Sequence, residues 1–184
     1  DLPIGQTTLE INSVNGLGRA AQFQHMEPMP TGKYLGSWRG RLLTATANVL
    51  RFSQAMAYHL HDARHDFVQM PQRITFVQPV DGGIWVGQVD HVAFLQCTGP
   101  DNLEYTKRQA RAPVAGSAIA LKADEAGQLA GAGGAVVLWL AENGYALGTA
   151  DGQLVEPQAE RLQGIRGASG TCAVFADRVL TTVI

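Results

Sequence analysis

A chain of 184 residues with 46% hydrophobic and 16% charged content carries enough apolar surface for one sizeable core and lies far from the composition of disordered chains. Its 14 basic against 16 acidic residues leave no electrostatic footprint for nucleic acid, and no apolar run approaches the roughly 20 residues of a membrane-spanning helix. Cys97 and Cys172 are the only cysteines; this excludes a disulfide framework and a CxxC metal or redox motif, and two buried free thiols in a reducing compartment are expected, with a single bridge between them as the alternative.

The chain starts at Asp1 without a charged-then-apolar secretory segment and reads as a fragment or processed piece. Residues 7–14, TTLEINSV, alternate apolar and polar with β-branched members, which predicts a strand, and Asn15-Gly16 then makes a turn. Residues 25–39 carry Pro28, Pro30, Gly32 and Gly36 and little periodicity, so an irregular crossing segment is expected. RLLTATANVLRFSQ at 41–54 reads as a hairpin. In QAMAYHLHDARHDF at 54–67, Ala55, Tyr58 and Asp62 stand at roughly helical spacing, but the stretch is short and uncapped and reads as an excursion between hairpins. TFVQPVDGGIWVGQ at 75–88 is a second hairpin, with Pro79 marking an edge or a strand end. HVAFLQC at 91–97 continues that sheet, and Gly99-Pro100-Asp101 ends it.

LEYTKR at 103–108 and a strand SAIALK at 117–122 lead into a flexible Gly/Ala-rich surface loop, 123–135. The last third is all short β: VVLWLAENGYALGT at 136–149, QLVEP, then TCAVFADRVLTTV at 171–183. Four of these segments repeat one pattern, two apolar strands around a tight polar turn. Asp81-Gly82-Gly83 and Asn143-Gly144 are expected to supply positive-φ turn positions, and the flanking Val, Ile, Leu, Trp and Phe suit a half-buried pleated surface. Phe52, Trp85, Tyr145 and Leu180 mark the second strands, separated by 33, 60 and 35 residues (85 − 52, 145 − 85, 180 − 145). Such recurrence predicts a single all-β domain over 1–184, an irregular propeller-like series of hairpins that forms the C-terminal part of a larger propeller, with a β-sandwich as the alternative.

The densest run of chemical groups is His59 to Asp66. His59 and His61 form an HxH pair and His61 and His65 stand four apart, which on paper suits zinc and a metal hydrolase. A polar surface excursion with hydrogen-bonded histidines accounts for the same residues, and no metal or other cofactor is expected. Gly167-Ala168-Ser169-Gly170 is similar to the surround of a serine-protease nucleophile, but Thr171 breaks the GxSxG pattern and no histidine follows; a turn between strands is the expectation. The glycines at 127–134 fit neither the Walker nor the Rossmann spacing. Trp85, Trp139, Tyr145 and Phe175 are expected in the core, whereas Tyr34 and Trp38 are the expected exposed aromatic pair.

The order Gly40-Arg41-Leu42-Leu43, Asn48 to Ser53, Ile74-Thr75-Phe76, Asp81 to Gly87 and His91 to Leu95 resembles a family of tailed-bacteriophage and prophage structural proteins. Its members carry a "G-R-L… N-x-L-x-F-S" hairpin, a "V-x-G-G-I/L-W-V-G" hairpin and a strand with the sense of "x-V-Y-F-L". Ala141 to Tyr145 is similar to its "S-x-x-G-L/Y" hairpin. The resemblance spans about residues 40–184, and more loosely Ser13 to Leu17. It implies a propeller-like virion building block of the tail or head–tail junction, without catalytic residues, assembled in the bacterial cytoplasm. The expected partners are other virion proteins and further copies in a ring, with no nucleic-acid binding and no membrane insertion. Contacts are expected through the loops 25–39, 54–70 and 123–134, with Tyr34, Trp38, Tyr58, His59, His61 and Phe67 as the contact residues. A glycan- or cell-surface-binding β module is the runner-up, favoured by exposed aromatics near 34–38 or 85–94.

Overall fold

The structure is a computed structural model that describes residues 25–99, 102–109, 111–122, 125, 134–176 and 178–184. The expected strand at 7–14, the turns at Asn15-Gly16 and Pro100-Asp101, and most of the loop 123–135 lie outside those residues.

Turn chemistry sets the first hairpin. Trp38 pairs with Arg41 across Arg39-Gly40, whose φ values of 47° and 72° give a type I′ turn that matches the twist of its strands. Every element among the described residues is a strand: β1 (Met26–Pro28), β2 (Lys33–Trp38), β3 (Arg41–Thr46), β4 (Val49–Phe52), β5 (Leu60–Asp62), β6 (Phe67–Gln69), β7 (Ile74–Val80), β8 (Gly83–Gln88), β9 (Val92–Gly99), β10 (Asn102–Gln109), β11 (Ile119–Leu121), β12 (Val136–Ala141), β13 (Gly144–Gly148), β14 (Leu154–Val155), β15 (Gly170–Phe175) and β16 (Arg178–Val183). The chain is all-β. A first sheet has the order β2-β3-β4-β6, a second β7-β8-β9-β10 and a third β11-β12-β13-β14, each antiparallel; β15-β16 and β1-β5 are two-stranded.

The three four-stranded sheets stack in chain order. Leu43, Leu50 and Phe52 of the first sheet pack on Ile84, Val86 and Leu95 of the second. The opposite face of the second sheet, with Trp85, Val92 and Phe94, packs on Val137, Trp139 and Ala146 of the third. The far side of the third, with Val136, Leu138 and Leu147, takes Val174 and Val179 of the terminal hairpin. Because both faces of the second and third sheets are covered, β8 and β12 are buried at every residue. This corrects the expected half-buried surface: GIWVGQ and VVLWLA are apolar on both sides because both sides face protein.

Further differences have local causes. Residues 25–39 are not an irregular crossing but contain β1 and β2; positive φ at His25, Tyr34 and Arg39 and a register shift between Lys33 and Gly36 let a Pro/Gly-rich segment pair. The excursion at 54–67 contains β5, which pairs with β1. The repeat is offset in the second sheet: 41–54 and 136–149 form the two central strands of their sheets, whereas 75–88 forms an edge and a central strand. Pro79 accordingly lies in the edge strand β7, next to its last residue. Gly144 does adopt positive φ, 101°, but neither Gly82 nor Gly83 does; a β-carbon on Gly83 would collide with the Leu95 carbonyl oxygen, so close approach and not backbone hand is what Gly83 provides.

Gly148 has the same kind of role on the third sheet, where a β-carbon would overlap the Trp85 indole. Gly148→Ala is expected to destabilise the fold by about 1–3 kcal/mol, read as a lower urea midpoint with an unchanged m-value. An unchanged midpoint would show that the second and third sheets are not in this contact.

Candidate functional site

The segment from Gln54 to Gln69 forms one wall of a cleft. Its loop is held by its own polar groups. Asp62 ends β5, and its carboxylate accepts hydrogen bonds from the Arg64 backbone N–H at 3.0 Å and from the Arg64 guanidinium at 3.0 and 2.8 Å, the local pattern that lets aspartate shape a turn. Those bonds hold the Asp62 carboxyl well below its ordinary value of 3.8. Asp66 closes the turn, its backbone N–H donating to the Asp62 carbonyl at 2.9 Å. Its carboxylate accepts from Arg41 of β3 at 3.0 Å, from the Asp62 backbone N–H at 2.8 Å and from the Gln54 amide.

Beside this knot, Arg41, Gln54, His65, Asp66, Phe67 and Asn102 line a cleft of about 630 Å³, with Trp38 and Phe52 among its walls. It lies where the first sheet meets the edge strand β10 of the second. The Asp66 oxygens are engaged within the knot, so the cleft offers an imidazole, side-chain amides and aromatic surface.

The expected contact residues are distributed unevenly. Phe67 stands on this cleft, 41% exposed, and Tyr58 and His59 are exposed on the neighbouring turn. His61 is not at the surface: it is buried and its Nδ1 lies 3.0 Å from the Phe52 carbonyl oxygen, tying β5 to the end of β4. Trp38 is also buried, 8% exposed, and its indole N–H donates to the Val80 carbonyl at 2.9 Å. Tyr34 is half-buried, packed against the core cluster that contains Trp38, and lines a second cleft with Lys33, Thr46 and Arg73. The expectation of an exposed Tyr34–Trp38 pair is therefore corrected: tryptophan's area and single donor are both used between sheets. Trp85 and Phe94 are likewise interior, with ring centroids 4.9 Å apart. Phe175, by contrast, is not a core residue; it is 71% exposed.

His59, His61 and His65 do not converge, and among the described residues no group of three or more His, Cys, Asp or Glu is placed to share a metal ion. Ser169 pairs through its backbone with Ile184, at the open end of the terminal hairpin. Cys97 and Cys172 are unbridged and half-buried; burial pushes the Cys172 thiol up, while the Thr181 hydroxyl 2.9 Å away opposes that.

Two clusters have no local signature in the chain. His91 places Nδ1 2.6 Å from Asp90 and Nε2 2.5 Å from the Tyr105 hydroxyl and 2.9 Å from the Gln88 amide nitrogen. Since an amide nitrogen only donates, Nε2 accepts and Nδ1–H donates to Asp90. This clamp joins the β8–β9 turn to β10. Glu156 accepts from Gln109 at 2.6 Å and Asn143 at 2.8 Å, and Gln109 accepts from the Trp139 indole at 2.8 Å. The exposed members, Asp90 and Tyr105, carry apolar-to-polar alternation and nothing else that sequence could flag; Arg41, Gln54 and Asn102 are equally silent.

Asp66→Ala removes the acceptor for three donors and is expected to cost about 2 kcal/mol, with amide exchange accelerating across 60–69 before the second sheet is affected. For Asp62 the sign follows from its depressed carboxyl: the stabilisation is complete above the ordinary aspartate range and is lost as pH falls below it. Asp62→Asn should flatten the fall of Tm between about pH 4 and 2; an identical acid slope in both proteins would remove Asp62 from that account. No family model matches the chain, and no curated protein matches it significantly.

Proposed function

We propose that this chain is a propeller-like structural component of a tailed-phage virion, in the tail or the head–tail junction, that works through protein–protein contacts. The observation that carries the reading is the stack itself: three antiparallel four-stranded sheets in chain order, each packed on the next, with a hairpin continuing the series. Radially repeated sheets of this size are how propellers are built. The resemblance of 40–95 to phage structural proteins supplies the virion context.

The two ends of the stack support assembly. Leu35 and Phe67 are exposed on the first sheet, and Phe175, Leu180 and Ile184 at the terminal hairpin. These are different surfaces at opposite ends of one series. Contact between unlike surfaces of successive copies is head-to-tail, and it closes into a ring when the rotation per copy allows. Tyr58 and Phe67, on an internally braced loop, would meet neighbouring virion proteins.

Light scattering behind size-exclusion chromatography should find concentration-dependent assembly into one defined cyclic species, and purified tail or connector proteins should bind the chain. Tyr58→Ala with Phe67→Ala should weaken that binding about tenfold or more, ~1.4 kcal/mol. A strictly monomeric chain that binds no virion protein at its solubility limit would falsify the proposal.

A further inference from the structure

The two clefts of the first sheet differ in charge. The second lies where the start of β2 and the end of β3 meet the start of β7, and it encloses about 620 Å³. That volume falls within the roughly 300–1,000 Å³ of small-molecule sites. Thr31, Lys33, Tyr34, Thr46 and Arg73 line it, over a buried floor that includes Ala45 and Ile74. Two of these side chains are cations, and no lining residue is an acid. Among the described residues neither Lys33 nor Arg73 forms an ion pair. In the first cleft, by contrast, Asp66 engages Arg41.

The backbone around those cations is fixed. β2 and β3 pair at Lys33↔Ala45 and next at Gly36↔Leu43, so Tyr34 and Leu35 together oppose Thr44 alone. This is a bulge, a device that bends a strand and re-aims its side chains. Tyr34 takes a φ of 60° there; positive φ is uncommon outside glycine, and such strain clusters at ligand sites. Its half-buried side chain packs on the first core cluster and lines the cleft. Arg73, just before β7, is held on both sides of its backbone. Its carbonyl accepts from the Val89 N–H at 3.1 Å, and the next N–H, of Ile74, donates to the Ala47 carbonyl at 2.9 Å. The Thr46 hydroxyl donates to the Thr31 carbonyl at 3.1 Å, which ties the segment before β2 to the end of β3.

These groups share one ligand chemistry. Two cations without a carboxylate call for an anion, and arginine's planar fork matches a carboxylate. Threonine hydroxyls both donate to and accept from ligand hydroxyls. Tyrosine offers a flat apolar face with a polar tip, against which the C–H face of a sugar ring can lie. We propose that this cleft binds a carboxylated sugar residue, with the carboxylate between Lys33 and Arg73, the ring against Tyr34 and its hydroxyls at Thr31 and Thr46. An acidic peptide fits less well. β2 is the edge strand of its sheet, but the bulge interrupts the row of backbone groups that strand addition needs. All the groups come from one chain, so the site stands whether or not copies assemble.

The test titrates the intact chain with sialyllactose and with oligogalacturonate, followed by amide chemical shifts. At least one of the two should give saturable shifts confined to 31–34, 45–47 and 73–74. Lactose, which lacks the carboxylate, should bind about tenfold more weakly than sialyllactose or worse. Lys33→Gln and Arg73→Gln should each weaken binding about tenfold, and high salt should weaken it further. Both side chains are exposed, so the variants should keep the parent urea midpoint, and the shifts mapped on the unaltered chain locate the site without them. No saturable shift with either sugar, shifts elsewhere, equal binding of lactose, or affinity indifferent to both substitutions would each overturn it. So would shifts at these amides from inorganic sulfate or an acidic peptide but from neither sugar; with sulfate that means an adventitious ion only.

Discussion

Three indole N–H groups cross from one sheet to the next. Trp38 of the first sheet donates to the Val80 carbonyl of the second at 2.9 Å, Trp85 of the second to the Thr149 carbonyl beside the third at 2.9 Å, and Trp139 of the third to Gln109 of the second at 2.8 Å. Each indole removes a large apolar area from water and carries one donor, which costs about 1–3 kcal/mol if buried without an acceptor. Area alone would let two sheets slide; the donor fixes where they stop. Around these bonds the rings of Phe76, Trp85, Phe94 and Trp139 lie tilted against one another, with centroids 4.9–5.6 Å apart. The backbone must come close for the rings to fit, and glycines stand where it does.

From that constraint follows the sequential character of the core. Each apolar cluster joins one sheet to its neighbour in the chain: pairing within a sheet is mostly between successive strands, and contacts from sheet to sheet span longer stretches, such as the 42 positions from Trp38 to Val80 and the 64 from Trp85 to Thr149. Such an arrangement spreads stability over successive interfaces, much as stacked repeats do. The two middle sheets have two interfaces each and the ends have one. Among the described residues the terminal hairpin is held on its Val174 and Val179 side alone.

Hairpins were legible in the chain because turn residues and β-branched residues act locally. Asn143-Gly144 and the strands beside it could be placed without knowing anything distant. The register of the repeat was not legible in the same way: TFVQPVDGGIWVGQ matches its companions as a hairpin, yet which strand of a sheet it supplies depends on β9 and β10, beyond the motif. Burial also misled in one direction. Trp38 sits among Pro and Gly residues, the usual setting of a loop, and only its bond to Val80, 42 positions away, shows that it belongs to the core. The cleft around Asp66 was half legible. The run His59 to Asp66 announced polar chemistry, but whether its groups would converge on a metal or be consumed in bracing a turn depended on Arg41 and Gln54, outside the run.

That bracing bears on how the surface can act. A loop contacts a partner with least loss of freedom when it is already ordered, because each rotamer-rich side chain immobilised on binding costs about 0.5–1.5 kcal/mol. The excursion at 54–67 is long and polar, which from composition alone suggests a mobile loop. Instead Asp62 and Asp66 hold both sides of its turn, His61 anchors β5 beneath it, and Arg41 fixes it to β3. The carboxylates of Asp62 and Asp66 are spent inward, and the side chains left outward include Met56, Tyr58, His59, Arg64, His65 and Phe67. Under the proposed role, a segment whose ionic groups order it and whose aromatic side chains face solvent would meet a partner in one preformed shape.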